Sequence, residues 1–115
     1  MSELLELQQA FVRLQAEFQL WAYAQGYALT YSEAWRSEEE AELQAQRGAG
    51  IVHSLHCERL AIDLNLFRDG RLLTSKEDYA PLGEKWKSLH SLARWGGDFK
   101  RVDVDHFSLA YGGME

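Results

Sequence analysis

At 115 residues the chain has length for one domain and one core, so residues 1–115 are expected to form a single unit that carries a single site. Hydrophobic residues make up 46% and charged residues 26%, with one Pro and nine scattered Gly, a balance that excludes a disordered tract. A net charge of −6 and a pI near 5.2 argue against nucleic acid as partner, because phosphate backbones are bound by clustered Lys and Arg. No run approaches the roughly 18 apolar residues of a membrane span, and the N-terminus is acidic and amphipathic rather than a basic leader. The expectation is a protein made in the cytoplasm, without stable membrane insertion. The single cysteine, Cys57, rules out an intrachain disulfide and a closed thiolate metal site.

From Glu3 to Gln25 the residues Leu4, Leu7, Phe11, Leu14, Phe18 and Trp21 recur three or four apart, the signature of an amphipathic helix, which Gly26 should end. Tyr27–Tyr31 suits a short strand. Ser37, followed by Glu38, Glu39 and Glu40, reads as a helix start, with Ser37 capping the amides and Glu40 returning the bond. That helix should run to Gln46 or Arg47, where Gly48 and Gly50 open a loop.

Leu60, Ile62, Leu64 and Leu66 alternate with Arg59, Ala61, Asp63 and Asn65, which predicts a strand with its leucines in the core and Asp63 on the opposite face. Asp69-Gly70 is a tight-turn signal, with Arg71–Thr74 returning as a hairpin. Tyr79, Leu82, Trp86, Leu89, Leu92 and Ala93 predict one helix between Ser75 and Arg94, with Pro81-Leu82-Gly83 as the place where it would break. Trp95-Gly96-Gly97-Asp98-Phe99 interrupts it, Val102–Tyr111 returns to β-like composition, and Gly112-Gly113 marks a frayed end. No internal repeat or linker is present. The fold class is α+β: a small antiparallel sheet carrying the site on one face and packed against helices.

His56, Asp63 and His106 supply two imidazoles and a carboxylate from two segments, with Asp103 and Asp105 in reserve. Three protein ligands with a fourth position left to water is the pattern of catalytic Zn2+, which polarises a carbonyl and makes hydroxide available near neutral pH. Amide hydrolysis is the natural use. It also needs a carboxylate that moves the water's proton to the leaving amine without ligating the metal. Asp103 is preferred over Asp105, whose parity opposite to His106 points it away if the strand has begun; Asp103 must then lie in a turn or bulge entering the strand. Cys57 beside His56 raises a thiol nucleophile as the competing reading. Adjacent residues of an extended chain point apart, which sends Cys57 toward the core. His53, His90 and the Glu38–Glu42 cluster are assigned ordinary structural roles, and Trp95-Gly96-Gly97 is as well suited to packing as to substrate contact.

These residues resemble the zinc peptidases of bacterial cell-wall peptides, a family of D-alanyl-D-alanine carboxypeptidases, dipeptidases and phage L-alanyl-D-glutamate endolysins. The family pattern of Ser-x-His, Ala-x-Asp and acid-x-x-His-Phe is matched by Ser54, His56, Ala61, Asp63, Asp103, His106 and Phe107. Trp95-Gly96-Gly97 is similar to a stretch of the endolysin branch, and Ala34-Trp35-Arg36-Ser37 to the family's aromatic-Arg-Ser segment. The resemblance implies a Hedgehog/DD-peptidase-like fold, Zn2+ on His56, Asp63 and His106, Asp103 as acid/base, Arg36 on a substrate carboxylate or the oxyanion, and Ser54 at the site rim. It also implies action on peptidoglycan peptides, and a monomer is expected. The Trp-Gly-Gly stretch, compact size and lack of a signal peptide favour an endolysin that reaches the wall once a separate protein has permeabilised the membrane. A D-Ala-D-Ala carboxypeptidase or dipeptidase, and a non-catalytic zinc-bearing domain that grips wall peptides, are the alternatives. Two departures stand out: Glu58-Arg59 where relatives commonly have Gly, and Ser108 where many have Glu or Gln.

Overall fold

The computed structural model describes residues 2–48 and 54–115. Helix α1 (Glu3–Ala24) is capped by Ser2, whose Oγ accepts from the Leu5 amide at 3.1 Å, and carries Glu3 and Glu6 in its first turn, where acidic groups favour the helix dipole. Its periodic face buries Phe11, Leu14 and Phe18, with Leu4, Leu7 and Trp21 packed at the margin. Gly26, at φ +90°, turns the chain into strand β1 (Ala28–Glu33). Helix α2 (Glu38–Gln46) starts at Ser37, whose Oγ accepts from the Glu40 amide at 3.0 Å. The reciprocal bond expected of Glu40 is not made: its Oε1 accepts from Gln44 Nε2 at 3.2 Å, one helical turn on.

Strand β2 (Ala61–Arg68) is the spine of the sheet. β1 pairs antiparallel along one edge, from Ala28 opposite Phe67 to Glu33 opposite Asp63, with a bulge between Tyr31 and Glu33. The other edge is shared: β5 (His106–Leu109) takes residues 61–63 and β3 (Arg71–Leu73) takes residues 66–68. The β2–β3 turn is the two-residue type foreseen, with Asp69 at φ +53° and Gly70 at φ +75°.

Helix α3 (Lys76–Ser88) is shorter than the apolar spacing predicts. Leu89 caps it, and Ala93–Trp95 forms strand β4, paired with β5 from Ala93 opposite Leu109 to Trp95 opposite Phe107. The reason is the period: Ala93 and Trp95 are buried with Arg94 between them, a two-residue repeat that the β5 edge selects over a helical reading. Pro81 lies inside α3 on its exposed face, and the helix continues through it to Ser88. His90 lies beyond α3, its Nδ1 accepting from the Leu92 amide at 3.0 Å.

The core is closed by aromatics packed at a tilt, Phe18 lying 5.3 Å from Trp86 and 4.9 Å from Phe107, ring centre to ring centre. Trp86 and Tyr79 bury their polar ends by donating to the carbonyls of Ser108 (3.0 Å) and Leu64 (2.9 Å). Each such buried side chain contributes about 1.5–3 kcal/mol. Ile62 and Phe107 face this core, while Asp63 and His106, one residue along in each strand, face the other side. Among the described residues no helix is long and apolar enough to cross a membrane.

Candidate active site

His56 sits in a turn, not in extended chain. The carbonyl of Ser54 accepts from the Cys57 amide at 3.0 Å and that of Leu55 from the Leu60 amide at 2.9 Å, while the buried Ser54 Oγ accepts from the His56 amide at 3.1 Å. Ser54 therefore lines the cleft from within it and is not at the rim. Arg59 closes the turn at φ +59°, the left-handed region that favours glycine. The Glu58-Arg59 departure thus falls on a real backbone requirement, and Arg59 is held there by its guanidinium, 5.0 Å above the Trp35 ring. Cys57 does face away from the site, but toward α2, with Sγ 3.8 Å from the Ser37 carbonyl; it is half-buried and not in the core. The parity argument fails here because the segment is a turn.

Asp63 and His106 are direct partners across β2 and β5. Asp63 Oδ1 lies 3.2 Å from His56 Nε2 and 3.4 Å from His106 Nδ1. The outer nitrogens are held by backbone: His56 Nδ1 is 3.1 Å from the Ala34 carbonyl, and His106 Nε2 is 3.1 Å from the Glu115 carbonyl. A carbonyl only accepts, so each bond places a ring proton on the outer nitrogen and turns a lone pair toward Asp63. Asp63 Oδ1 is buried and makes no hydrogen bond. Three electron-pair donors facing one another around an orphaned carboxylate oxygen is an arrangement that a cation completes, and all three ligand atoms lie within 4.8 Å of one another. The residues fit a zinc ion. Without a cation the charges settle on protons. Burial works to raise Asp63, yet the imidazoles of His106 and His56, when charged beside it, hold it down at about 2. Burial likewise opposes the charged form of His106, but Asp63 outweighs it and raises His106 above its ordinary value.

Asp103 is in a turn, as its parity required. Its amide donates to the Gly96 carbonyl at 2.9 Å, its carbonyl accepts from the His106 amide at 3.2 Å, and its half-exposed carboxylate reaches to 3.9 Å from His106 Nδ1. It lines a cleft of about 620 Å³ together with Arg36, Ser54, His56 and His106. Asp105 opens instead onto a neighbouring hollow with Tyr79 and Lys76. Burial, then the bond to Asp103 and the charges of Asp63 and Asp103, push Asp105 up to about 7. Arg36 projects into the cleft with its side chain 10% exposed, its Nε donating to Glu33 Oε1 at 2.7 Å and its Nη2 touching the same oxygen.

Sequence reasoning missed three contributors. Glu33 holds the Arg36 fork and lies 3.8 Å from His56 Nδ1; nothing in the local pattern flags it, since the pairing depends on the β1 bulge. Phe99 packs on His106 with ring centres 5.3 Å apart. Arg101 adds a second cation to the cleft wall and donates to the Gly48 carbonyl at 3.1 Å. The Trp95-Gly96-Gly97 stretch is a packing device. A Cβ on Gly96 would come 1.9 Å from the Asp103 carbonyl oxygen, and one on Gly97 would come 2.2 Å from the Trp95 ring. His53 lies outside the described residues, and among them the Glu38–Glu42 cluster forms no metal-holding group.

Paired imidazoles around one carboxylate, with a second carboxylate and a guanidinium lining a cleft large enough for a peptide segment, are groups that a hydrolase can use. A family profile described as D-alanyl-D-alanine carboxypeptidase matches residues 47–109, and the chain belongs to that peptidase family. The crystal structure of the L-Ala D-Glu endopeptidase ChiX from Serratia marcescens shares the fold, with a TM-score of 0.68 and 21% identity over 90% of this chain and 77% of that one. No curated protein matches the sequence.

Proposed function

We propose that the chain is a zinc-dependent peptidase that hydrolyses peptidoglycan stem peptides, with His56, Asp63 and His106 as metal ligands, Asp103 as acid/base and Arg36 as the oxyanion or carboxylate contact. The observation that carries the reading is the orphaned, buried Oδ1 of Asp63 with two imidazole lone pairs aimed at it. When bound, zinc supplies Lewis-acid polarisation of the scissile carbonyl and lowers the pKa of water. The chain's own residues do the rest. Asp103, outside the ligand set and open to the cleft, takes a proton from water and delivers it to the leaving amine. Glu33 holds Arg36 so that the guanidinium meets developing negative charge without reorganising. Ser54 fixes the turn that presents His56.

The bond cut is proposed to be L-alanyl-D-glutamate, as in a phage-type endolysin working on the wall as a monomer after membrane permeabilisation. The fold shared with an L-Ala D-Glu endopeptidase supports this. The family description favours the second reading, a D-alanyl-D-alanine carboxypeptidase or dipeptidase. Digestion of purified peptidoglycan by zinc-loaded protein, with fragments identified by mass spectrometry, separates them: new N-terminal D-Glu marks the endopeptidase and free D-Ala the carboxypeptidase. No cleavage with or without zinc would leave a wall-peptide-binding domain. Asp103→Asn should retain zinc and lose about 10²–10⁴-fold in rate; full lysis by that variant would remove Asp103 from the role of base.

A further inference from the structure

We propose that the segment from Tyr111 to Glu115 is a clamp that sets the second histidine for metal binding, a positioning element built from backbone. After β5 and Ala110 the chain reverses in a two-residue turn. The Tyr111 amide donates to the Met114 carbonyl at 3.1 Å and the Met114 amide to the Tyr111 carbonyl at 2.9 Å. The central residues, Gly112 and Gly113, sit at φ +59° and +78°, a conformation open to glycine at both positions. The Gly-Gly pair therefore makes a turn where its composition suggested fraying. The reversal lays Glu115 back over β5, where its carbonyl accepts from His106 Nε2 at 3.1 Å and from Ser108 Oγ. Arg94 Nε, 3.7 Å from Glu115 Oε1, ties the segment to β4. Gly113, Met114 and Glu115 thereby become one wall of the cleft.

The consequence is chemical. An imidazole can offer either nitrogen, and the nitrogen that carries the proton cannot bind a metal. The Glu115 carbonyl accepts at Nε2, which keeps the proton there and leaves Nδ1 as the lone pair facing Asp63. Ser108, fully buried, donates to the same oxygen and holds it in place. His56 has a counterpart in the Ala34 carbonyl, but that acceptor lies in the loop between β1 and α2, whereas the one for His106 exists only because the turn at Gly112-Gly113 folds.

The inference rests on the metal reading above, and its test separates the two. Histidine labelled with 15N reports the His106 tautomer in metal-free protein at alkaline pH, and competition with a chromogenic chelator reports zinc affinity. The full chain should show His106 with its proton on Nε2. The double variant Gly112→Val/Gly113→Val, which makes the turn costly while keeping chain length, should show mixed tautomers and about 10–100-fold weaker zinc binding. Should that variant fail to fold, Ser108→Ala leaves the turn intact and should shift the same two readouts in the same direction. Unchanged tautomer and unchanged zinc affinity in a folded variant would overturn the clamp. Failure of the full chain to bind zinc would overturn the metal reading instead, and the metal-free tautomer would still judge the clamp.

Discussion

The two histidines reach one carboxylate from opposite kinds of structure. His56 is presented by a six-residue turn that makes its own hydrogen bonds, from Ser54 to Arg59. His106 is the first residue of an inner strand, and its setting is assembled from Gly96, Phe99, Asp103 and Glu115, all brought in from outside that strand. A local turn can absorb a change within itself. A setting assembled from four residues outside the strand transmits any shift in one of them to His106 and Asp103 at once.

Substitution at Gly96 should break this contrast most severely. In Gly96→Ala the new Cβ meets the backbone oxygen of Asp103 at 1.9 Å, and backbone cannot give way as a side-chain tip can. We expect a stability loss of about 1–3 kcal/mol from overpacking. A displacement of Asp103 approaching 1 Å would add a rate loss of about 10²-fold. Thermal melting and peptide hydrolysis measured together check both. A variant with wild-type kinetics would show that the Gly96 platform does not position Asp103.

On the other side of the comparison, Ser54→Ala leaves the buried His56 amide without its acceptor. The expected cost is about 1–3 kcal/mol in urea unfolding. Zinc affinity should fall by less than in the turn variant at Gly112-Gly113, because the remaining backbone bonds of the turn and the Ala34 carbonyl still orient the ring.

The two carboxylate–imidazole contacts also predict a pH signature. In the metal-free protein His106 is raised, so its contribution is complete below the ordinary value of 6.5 and is lost as pH climbs through its folded value. Asp63 is depressed to about 2, so its contribution is complete above 3.8 and is lost as pH falls toward 2. Metal-free protein should therefore melt highest between these limits. Zinc competes with the His106 proton, so loaded protein should gain stability on the alkaline side instead. Melting curves across pH with and without zinc test the crossing.

The smallest effect is expected at Arg59→Gly. Relief of the left-handed backbone favours the variant by about 1 kcal/mol. Loss of the guanidinium over Trp35 opposes it by about 0.5–1 kcal/mol at this exposed position. Urea unfolding should barely move, and a large loss would mean that the Trp35 contact organises the His56 turn.

Alternation along β2 was legible in the residues, because a strand with one buried face must repeat every two residues, and it assigned Asp63 to the site face before any fold was known. The Ser54-x-His56 and Asp103-x-x-His106 spacings were legible for a similar reason, since both are short-range features that a turn can satisfy. Glu33 beside Arg36 was not, and neither was the choice between helix and strand at Ala93–Trp95, whose spacing fits either until β5 offers an edge. By itself, then, the sequence determined the candidate metal-holding residues, the faces of β2 and the cap at Ser37, all consequences of chemistry within a few residues. Only the tertiary structure decided which nitrogen of each imidazole faces Asp63, and that Asp103 and not Asp105 opens on the cleft. Those outcomes depend on hydrogen bonds and close contacts from chain segments distant in sequence, which no local pattern encodes.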